Sequence, residues 1–292
     1  MISIVIISKD EPSLEDTLTE VTVQASALGE QSETIVVDAS AGRLDDIRQR
    51  HAATVTWHDF QQPPGVPISI PHQRNAGVRA ARGEIIVFTD AGCTPEEGWL
   101  KWMVESLRSG EDAVAGTTQD MSGANVYPNE YARRLEGESS YLVECATINF
   151  AFHRTVYDAI GGFDERFAYG SDVDFTWRLN DAGYRVRHIP GAVLRHDWGE
   201  SRRQRHRSFV YGKARARLYK KHLARRQNIL REDPVTVIYP LFLLGLPLTL
   251  IFPLYPLLLI IPAWRNRESG GLRVLIDHLW YGAGVLAELL GR

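Results

Sequence analysis

The chain has 292 residues and a formal net charge of −3, with 33 basic and 36 acidic side chains, so its overall charge gives no reason to expect nucleic acid as a partner. Its two cysteines, Cys93 and Cys145, are too few for a disulfide framework, which predicts a reduced cytosolic setting. The apolar run from Ile2 to Ile7 is too short for a secretory signal and has no basic flank, so no signal is expected there.

Apolar strand-like runs alternate with helix-like segments over residues 1–200, which predicts a layered α/β domain. The runs at 3–8, 34–37 and 85–88 are apolar throughout, as parallel strands covered on both faces are. Open sheets of this kind bind ligands beyond the carboxyl ends of their strands. The other expected elements are helices over 14–28, 44–51 and 73–81, a third strand over 53–58, and a helix with Pro95 in its first turn.

Two aspartates stand where predicted strands end. Asp38 follows TIVV and Asp90 follows IIVFT, so both are placed at the carboxyl edge of the sheet. An aspartate there can hold a base, a sugar hydroxyl or a cation, and for Asp38 a cap on the following helix is the alternative. Gly92 stands two residues after Asp90, where a second acid would be looked for.

Arg74 and Asn75 lie in HQRNAGVRAARG (72–83), just before the strand that ends at Asp90. A guanidinium in this place can pair with a diphosphate, because its planar fork matches phosphate oxygens. An ordinary surface arginine at a helix start is the alternative interpretation.

The segment 160–186 predicts a turn at its two glycines and then a helix that begins at Ser171 and Asp172. Asp172 is either a cap on this helix or a general base that takes a proton from an attacking hydroxyl. Arg178 lies on the same short helix. Three tryptophans are candidates for stacking on sugar, with core packing as the alternative for each: Trp99, Trp177 and Trp198.

The stretch 201–233 is strongly basic, and Tyr211, Ala214 and Leu218 recur in it at helical spacing. This pattern predicts an amphipathic helix with a cationic surface.

The region 234–292 is predicted to associate with a membrane. Residues 235–264 contain no charged side chain, and five prolines interrupt them, which favours broken helices or a shallow hairpin over a straight span. Arginines on both sides indicate that both ends lie on the cytoplasmic face of the cell membrane. A large hydrophobic subunit interface is the alternative. The last segment, 272–290, is expected to lie on the membrane instead of crossing it.

The order of these motifs resembles the family 2 inverting glycosyltransferases with the GT-A fold. The resemblance rests on SIVIISKDEP, TIVVDAS, QRNAGVRAARGEIIVFTDAG, GGFDERFAYGSDVDFTWRL and GAVLRH, and covers about residues 1–220. It implies a Rossmann-like, mostly parallel sheet with helices on both faces. Residues 1–200 would form the nucleotide-sugar-binding and catalytic domain, 201–233 a basic amphipathic segment, and 234–292 a hydrophobic helical region for membrane association.

The resemblance also implies roles for residues that match the family's motifs. Asp38 would read the nucleotide base, and Asp90 would be the first acid of the DxD motif, followed by Ala91 at the donor. Asp172 would be the catalytic base of the ED motif, in which Ser171 replaces the usual glutamate. The remaining matched positions would contact the donor's diphosphate or sugar, or a metal: Arg74, Asn75, Arg178 and His196.

Two departures from the family pattern leave alternatives open. Gly92 replaces the second DxD acid, so a Mn²⁺ or Mg²⁺ ion would be held by Asp90, His196 and the diphosphate. Alternatively, Arg74 and a helix N-terminus near Thr94 would carry the charge of the leaving group, with metal less important. Ala39 follows Asp38 where many members have another polar residue, which leaves the preferred base open.

The implied reaction is a single displacement, in which an acceptor hydroxyl deprotonated by Asp172 attacks the anomeric carbon of a nucleotide-diphosphate sugar. The expected acceptor is a glycan or a polyprenyl-linked molecule held near the membrane. A catalytically silent nucleotide-sugar-binding protein, or a partner in a membrane glycan-biosynthesis assembly, is the alternative. A nucleotidyltransferase is disfavoured, because SKDEPSLEDT (8–17) has no glycine to form a phosphate loop.

Overall fold

A computed structural model of the chain describes residues 1–66, 68–121, 141–197, 201–265, 267 and 271–291. The chain divides into two compact units, Met1–Trp198 and Gly199–Arg292, called unit 1 and unit 2 below. Each unit is described by itself.

Unit 1 is built on one sheet, and nine of its strands lie in the described residues. They are β1 (Ile2–Ser8), β2 (Ser32–Asp38), β3 (Val55–Asp59), β4 (Ile85–Asp90), β5 (Cys93–Pro95), β6 (Ala113–Gln119), β7 (Tyr141–Leu142), β8 (Phe150–His153) and β9 (Val186–His196). Their order across the sheet is β3-β2-β1-β4-β8-β6-β9-β5, and β7 pairs with β9.

The sheet is mostly parallel, as expected, because six of the nine strands run in one direction: β1, β2, β3, β4, β6 and β9. The half formed by β3, β2, β1 and β4 is parallel. Beyond β4, however, β8 runs antiparallel to both β4 and β6, and β5 and β7 run antiparallel to β9. The uninterrupted apolar runs match β1, β2 and β4, whereas the antiparallel strands β5, β7 and β8 are short and have no comparable pattern in the sequence.

Helices cover both faces of this sheet. They are α1 (Leu14–Ala27), α2 (Asp45–Arg50), α3 (Ile70–Ala80), α4 (Trp99–Arg108), α5 (Arg154–Ile160) and α6 (Ser171–Asp181). Successive residues of β1 point to opposite faces, so Ile4 and Ile6 belong to the core that includes Leu18, whereas Val5 and Ile7 belong to the core on the other side. Two covered faces explain why β1 is apolar at every position except Ser3 and Ser8.

The helix predicted with Pro95 in its first turn begins four residues later, at Trp99, so that prediction was wrong. Cys93–Pro95 is strand β5, in which Thr94 lies opposite Arg195. Glu96 N still donates to Val193 O at 3.0 Å, and the chain turns into α4 only after Gly98, whose φ is 80°. Pairing with β9 overrides the local helix-start signal. The alternative phosphate site at a helix N-terminus near Thr94 is therefore ruled out.

Unit 2 is helical in its described residues. Its helices are α7 (Ser201–Lys221), α8 (Ile229–Glu232), α9 (Val235–Leu244), α10 (Ile260–Arg265) and α11 (Gly271–Leu289), with short 3₁₀ turns at Leu223–Asn228, Leu246–Leu250 and Tyr255–Leu259. The segment 235–264 is broken into short helices and turns, as expected, although α9 continues through Pro240 and α10 through Pro262. The basic helix ends at Lys221, and Tyr211 is exposed, outside its buried face.

Glycines let α7 and α11 cross closely. A Cβ added to Gly212 would lie 2.0 Å from Tyr281 O, and one added to Gly284 would lie 1.9 Å from Phe209 O. Arg217 and Lys220 of α7 also pair with Glu288 of α11. The backbones therefore pack directly against each other, with no side chain between them.

Much of the apolar side-chain surface of residues 238–264 faces outward; we call it the apolar surface. Its members include Leu241, Leu248, Leu250, Ile251, Phe252, Leu257, Ile261 and Trp264, all exposed. In the portions of the chain that the structure describes, no helix combines the length and apolarity that a bilayer crossing requires.

Candidate active site

Asp38 and Asp90 lie at the same edge of the parallel half of the sheet. Ser8, at the end of β1, is in register with Asp38 on one side, and Ile7 is in register with Asp90 on the other. Since neighbouring strands are about 4.8 Å apart, the two aspartates are separated by roughly 10 Å, with the end of β1 between them. This is the edge at which the sequence placed them.

Asp38 is almost fully buried and is held by the turn that follows it. Its Oδ1 accepts hydrogen bonds from Ser40 Oγ at 2.5 Å and Ser40 N at 3.2 Å. Burial raises the pKa of the Asp38 carboxyl, the two bonds from Ser40 oppose the rise, and the nearby charge of Asp59 adds to it. The loop after β1 joins this network, because Asp10 N donates to Ser40 Oγ at 2.7 Å.

Arg74 connects the edge of the sheet to the start of α6. Its side chain is buried, and Nη2 lies 3.5 Å from Asp90 Oδ2. Its positive charge also lowers the pKa of the Asp172 carboxyl. Among the described residues, no acceptor bonds to the buried Arg74 Nε. A buried guanidinium with a free donor, beside the carboxylate of Asp90, is suited to an anionic ligand.

Asp172 lies in the first turn of α6, which begins after Gly170 in a left-handed conformation. Its Oδ1 accepts a hydrogen bond from Val173 N at 2.9 Å. Burial raises its pKa above the ordinary value, Arg74 and the backbone bonds oppose the rise, and the charge of Glu144 adds to it. A carboxylate with a raised pKa is a better proton acceptor than an ordinary aspartate, as a general base must be.

Asn75 holds the loop that precedes α6. Its amide Nδ2 donates to Phe163 O and Glu165 Oε1, both at 2.9 Å, and its Oδ1 accepts from Phe163 N at 2.9 Å and Tyr157 OH at 2.8 Å. The amide is buried and makes four hydrogen bonds. These contacts show that Asn75 positions the loop, and its predicted contact with the donor stays a prediction.

Arg178 supports the same loop from the other side. Nε donates to Asp174 Oδ2 at 2.9 Å, Nη1 to Ile160 O at 2.5 Å and Nη2 to Gly162 O at 2.6 Å. All three nitrogens of the guanidinium are engaged within the protein. Arg178 therefore holds the two-glycine turn through two of its backbone carbonyls, and its predicted contact with the donor stays a prediction.

The turn after Asp90 lies against the end of β9. Cys93 is opposite His196 in the sheet, and His196 Nδ1 lies 3.5 Å from Gly92 O and 3.7 Å from Cys93 Sγ. Burial raises the pKa of the Cys93 thiol, and the charges of Asp90 and Glu11 raise it further. The predicted neighbourhood of Asp90 and His196 is thus present, while Ala91 contributes its backbone, donating to Ile7 O at 3.1 Å.

A divalent cation fits this turn only in part. Asp90 Oδ1 is buried and, within the described residues, without a hydrogen-bond partner, which suits a hard cation. No group of three histidine, cysteine or acidic side chains among those residues is arranged to hold a metal. The protein ligands are therefore few, and the remaining ligands would have to come from a bound diphosphate and water.

Several residues of this region were missed by sequence reasoning. Glu144 accepts from Trp177 Nε1 at 3.0 Å and acts on Asp172, although it lies outside every quoted motif. Tyr157 bonds to Asn75, and Thr17 bonds to the backbone of Gly92 and Cys93. None of them stands in a pattern that signals a site, because each is brought in by tertiary contacts.

The three tryptophans considered for sugar stacking are not part of this edge as far as they are described. Trp99 is fully buried and bonds to Asn149, and Trp177 is almost fully buried, so core packing explains both. Trp198 lies outside the described residues.

A cavity of about 370 Å³ is present near the start of β2, lined by residues such as Thr22 and Thr34, and none of the predicted site residues lines it.

The model of glycosyl transferase family 2 matches residues 3–164, more than half of the chain. The chain belongs to glycosyl transferase family 2. A second model, that of glycosyl transferase family group 2, matches residues 135–281. The resemblance of the motifs to this family is therefore confirmed.

Curated relatives of this family 2 chain match it over part of their length. The pre-mycofactocin glycosyltransferase of Mycobacterium tuberculosis is 30% identical over 139 residues, which are 42% of this chain and 29% of that protein. Glycosyltransferase AglE of Haloferax volcanii is 30% identical over 124 residues, 38% of each chain. The match spans about a third of the length of these relatives.

Solved structures share the fold. The mannosyltransferase PcManGT from Pyrobaculum calidifontis, in complex with GDP-Man and Mn²⁺, matches all of this chain and 87% of its own, with a TM-score of 0.73 and 20% identity. TarS of S. aureus matches 75% of this chain and 43% of its own, with a TM-score of 0.54 and 14% identity. The α/β GT-A fold of this family 2 chain is thus confirmed.

Proposed function

We propose that this chain transfers a sugar from a nucleotide-diphosphate donor to an acceptor hydroxyl, with Asp172 as the general base. The observation that carries the proposal is the position of Arg74. Its guanidinium lies 3.5 Å from the carboxylate at the end of β4, its charge lowers the pKa of Asp172 at the start of α6, and it has a buried donor without a partner among the described residues.

The donor would lie along the carboxyl edge of the sheet. Asp38, two strands from Asp90, is placed for the nucleoside, and the diphosphate would be adjacent to Arg74. The guanidinium supplies hydrogen bonds and positive charge where the leaving diphosphate gains negative charge. Contacts of Ala91 with the donor are part of the same proposal.

The transfer would be a single displacement at the anomeric carbon. The acceptor oxygen forms the new bond as the bond to the diphosphate breaks, and Asp172 takes the acceptor's proton. One displacement inverts the configuration of that carbon. The raised pKa of Asp172 supports this role, since its carboxylate holds a proton more readily than an exposed aspartate does.

A Mn²⁺ or Mg²⁺ ion, when bound, would supply further positive charge to the leaving diphosphate. Asp90 would hold it, and His196 is the other predicted ligand. The Mn²⁺ in the complex of the mannosyltransferase PcManGT supports the use of a divalent ion.

We further propose that the apolar surface of unit 2 attaches the protein to the cytoplasmic face of the cell membrane. Patches of exposed apolar side chains as continuous as 238–264 are rare on soluble monomers. Basic residues of 201–233 would add attraction to anionic head groups, or to the diphosphate of a polyprenyl carrier. A glycan or polyprenyl-linked acceptor at the bilayer would then be concentrated near the enzyme.

The catalytic proposal is tested with Asp172→Asn. Release of nucleoside diphosphate is measured with a panel of UDP-, GDP- and dTDP-sugars and polyprenyl phosphate as acceptor, and donor binding by thermal shift. We expect transfer to fall about 10³-fold while the donor still raises the melting temperature. Asp181→Asn, a charge change at the exposed end of α6, is the matched control and should transfer normally. Equal transfer by Asp172→Asn and wild type would favour the silent sugar-binding protein.

The membrane proposal is tested by flotation with vesicles of phosphatidylcholine and phosphatidylglycerol. Leu250→Ser combined with Ile251→Ser should reduce the floated fraction severalfold, because both side chains are highly exposed. Val23→Ser changes an exposed apolar residue of unit 1 and should float as wild type does. Unchanged flotation, with loss of self-association instead, would favour a subunit interface.

A further inference from the structure

Glu11 occupies the space beside Gly92, where the second acid of the DxD motif is missing. Gly92 has a φ of 83°, and a Cβ added to it would lie 3.3 Å from Glu11 Cγ, 3.4 Å from Cδ and 3.7 Å from Oε2. The carboxylate of Glu11 therefore lies next to the position from which an acidic side chain at residue 92 would extend. It reaches this place from the loop between β1 and α1.

Buried contacts keep Glu11 in this place. Thr17, in the second turn of α1, accepts a hydrogen bond from Gly92 N at 3.1 Å and donates one to Cys93 O at 2.7 Å. Glu11 O accepts from Leu14 N at 3.1 Å, and its Oε1 accepts from Ser13 N at 3.2 Å. The start of α1 is thus bonded to the turn after Asp90. Glu11 is held beside that turn by the hydrogen bonds of its own backbone and carboxylate.

Asp90 and Glu11 surround the same turn with two carboxylates. Glu11 lies beside Gly92, two residues after Asp90, and Asp90 Oδ1 is buried without a hydrogen-bond partner among the described residues. Two neighbouring carboxylates repel each other unless a cation lies between them. One or two carboxylates plus substrate phosphates is the ligand set that Mg²⁺ ordinarily takes, and it needs no third protein ligand.

We propose that Glu11 is the second carboxylate ligand of the divalent-cation site, in place of the acid that Gly92 lacks. The proposal rests on the sugar transfer proposed above. It explains how the motif can hold a cation although residue 92 is glycine: the carboxylate comes from the first loop of the fold, and glycine leaves room for it.

The test compares Mn²⁺ binding by wild type and Glu11→Gln in the presence of UDP or GDP. Binding is measured as the decrease in the electron paramagnetic resonance signal of free Mn²⁺. We expect Mn²⁺ affinity to fall at least about tenfold. Asp16→Asn removes the same charge from the exposed side of α1 and should bind Mn²⁺ as wild type does. Equal Mn²⁺ affinity in Glu11→Gln and Asp16→Asn would overturn the proposal.

A double variant tests whether the two positions are equivalent. Glu11→Ala should weaken Mn²⁺ binding, and Glu11→Ala with Gly92→Asp should restore it to within a few fold, since aspartate tolerates a positive φ better than most residues. A double variant that folds but binds Mn²⁺ no better than Glu11→Ala would contradict the equivalence.

Two further measurements separate this proposal from the catalytic one. Binding of UDP or GDP in EDTA should be the same for wild type and Glu11→Gln; a loss there would make Glu11 a nucleotide-binding residue and overturn its role as a metal ligand. Wild-type protein that binds no Mn²⁺ would also overturn it. Transfer that persists in EDTA and still depends on Asp172 would leave the catalytic proposal standing.

Discussion

In unit 1 the aliphatic side chains of β1 are enclosed, with Ile4 and Ile6 on one face and Val5 and Ile7 on the other, whereas in unit 2 Leu250 and Ile251 are 88% and 86% exposed. The difference lies in what packs against each segment. Helices cover both faces of the sheet. In unit 2, α7 and α11 cross closely at glycines, whereas many long apolar side chains of 238–264 are exposed. Apolar sequence alone therefore does not define a core; the packing partner does.

The sharpest test of this comparison uses one chemical change in two environments. Ile6→Ala removes the same atoms as Ile251→Ala, but Ile6 is fully buried. We expect Ile6→Ala to lower the free energy of unfolding by about 3 kcal/mol and Ile251→Ala to change it by less than about 0.5 kcal/mol, measured by urea denaturation. Similar losses at both sites would mean that the apolar surface is covered in solution.

The polar side chain of Asn75 extends the comparison, because it is buried like the aliphatic side chains of unit 1. Asn75→Ala removes four hydrogen bonds and leaves the backbone N–H and C=O of Phe163 without their partner. We expect a loss of about 2–3 kcal/mol in the free energy of unfolding, and slower sugar transfer because the loop before Asp172 is released. Gln49→Ala, an exposed amide in α2, should leave both quantities near wild type.

The close crossing of α7 and α11 in unit 2 predicts an intermediate loss of stability when a glycine at the crossing is replaced. Gly284→Ala places a methyl group against Phe209 O, so α7 and α11 must separate. We expect a loss of about 1–3 kcal/mol, seen as earlier loss of helical circular dichroism on heating. Leu289→Ala, at the exposed end of α11, is the control and should differ little from wild type. Equal melting temperatures for Gly284→Ala and Leu289→Ala would mean that the close crossing does not stabilise unit 2.

The smallest effect concerns the charge buried at Asp38. Burial raises its pKa in the folded protein, so ionised Asp38 reduces stability above that folded pKa. Asp38→Asn should therefore raise the melting temperature by a few degrees at pH 7. The gain should shrink as the pH falls through the raised folded pKa, and should be absent below the ordinary aspartate pKa of about 3.9, where Asp38 is protonated in both states. Asp46→Asn, at an exposed site of α2, is the control for the charge change.

The site was predicted in part, and the parts that succeeded share a cause. Asp38 and Asp90 end apolar strands, and parallel strands have their carboxyl ends at one edge of the sheet. The two residues therefore lie at the same edge, on either side of β1. Asn75 and Arg178 were expected at the donor, yet both bond to the loop before α6. Motif position marked them as important, and only the contacts distinguish a residue that binds a ligand from one that holds a loop.

The failure at Pro95 has a different cause. Proline followed by acidic residues is a strong helix-start pattern, and a helix does follow, at Trp99. Between them the chain pairs with β9, more than ninety residues later in the sequence. A local pattern holds no information on such a partner, which is also why the antiparallel strands β5, β7 and β8 were not foreseen.

By itself, the sequence determined the parallel half of the sheet, the edge at which Asp38 and Asp90 stand, and the broken helices of 235–264, because periodicity, strand ends and prolines act within a few residues of themselves. Tertiary structure alone decided that Arg74 lies near Asp90, that Arg74 and Glu144 act on Asp172, and that Glu11 lies beside Gly92. These contacts join residues far apart along the chain, and only the packing of strands and helices brings them within reach of one another.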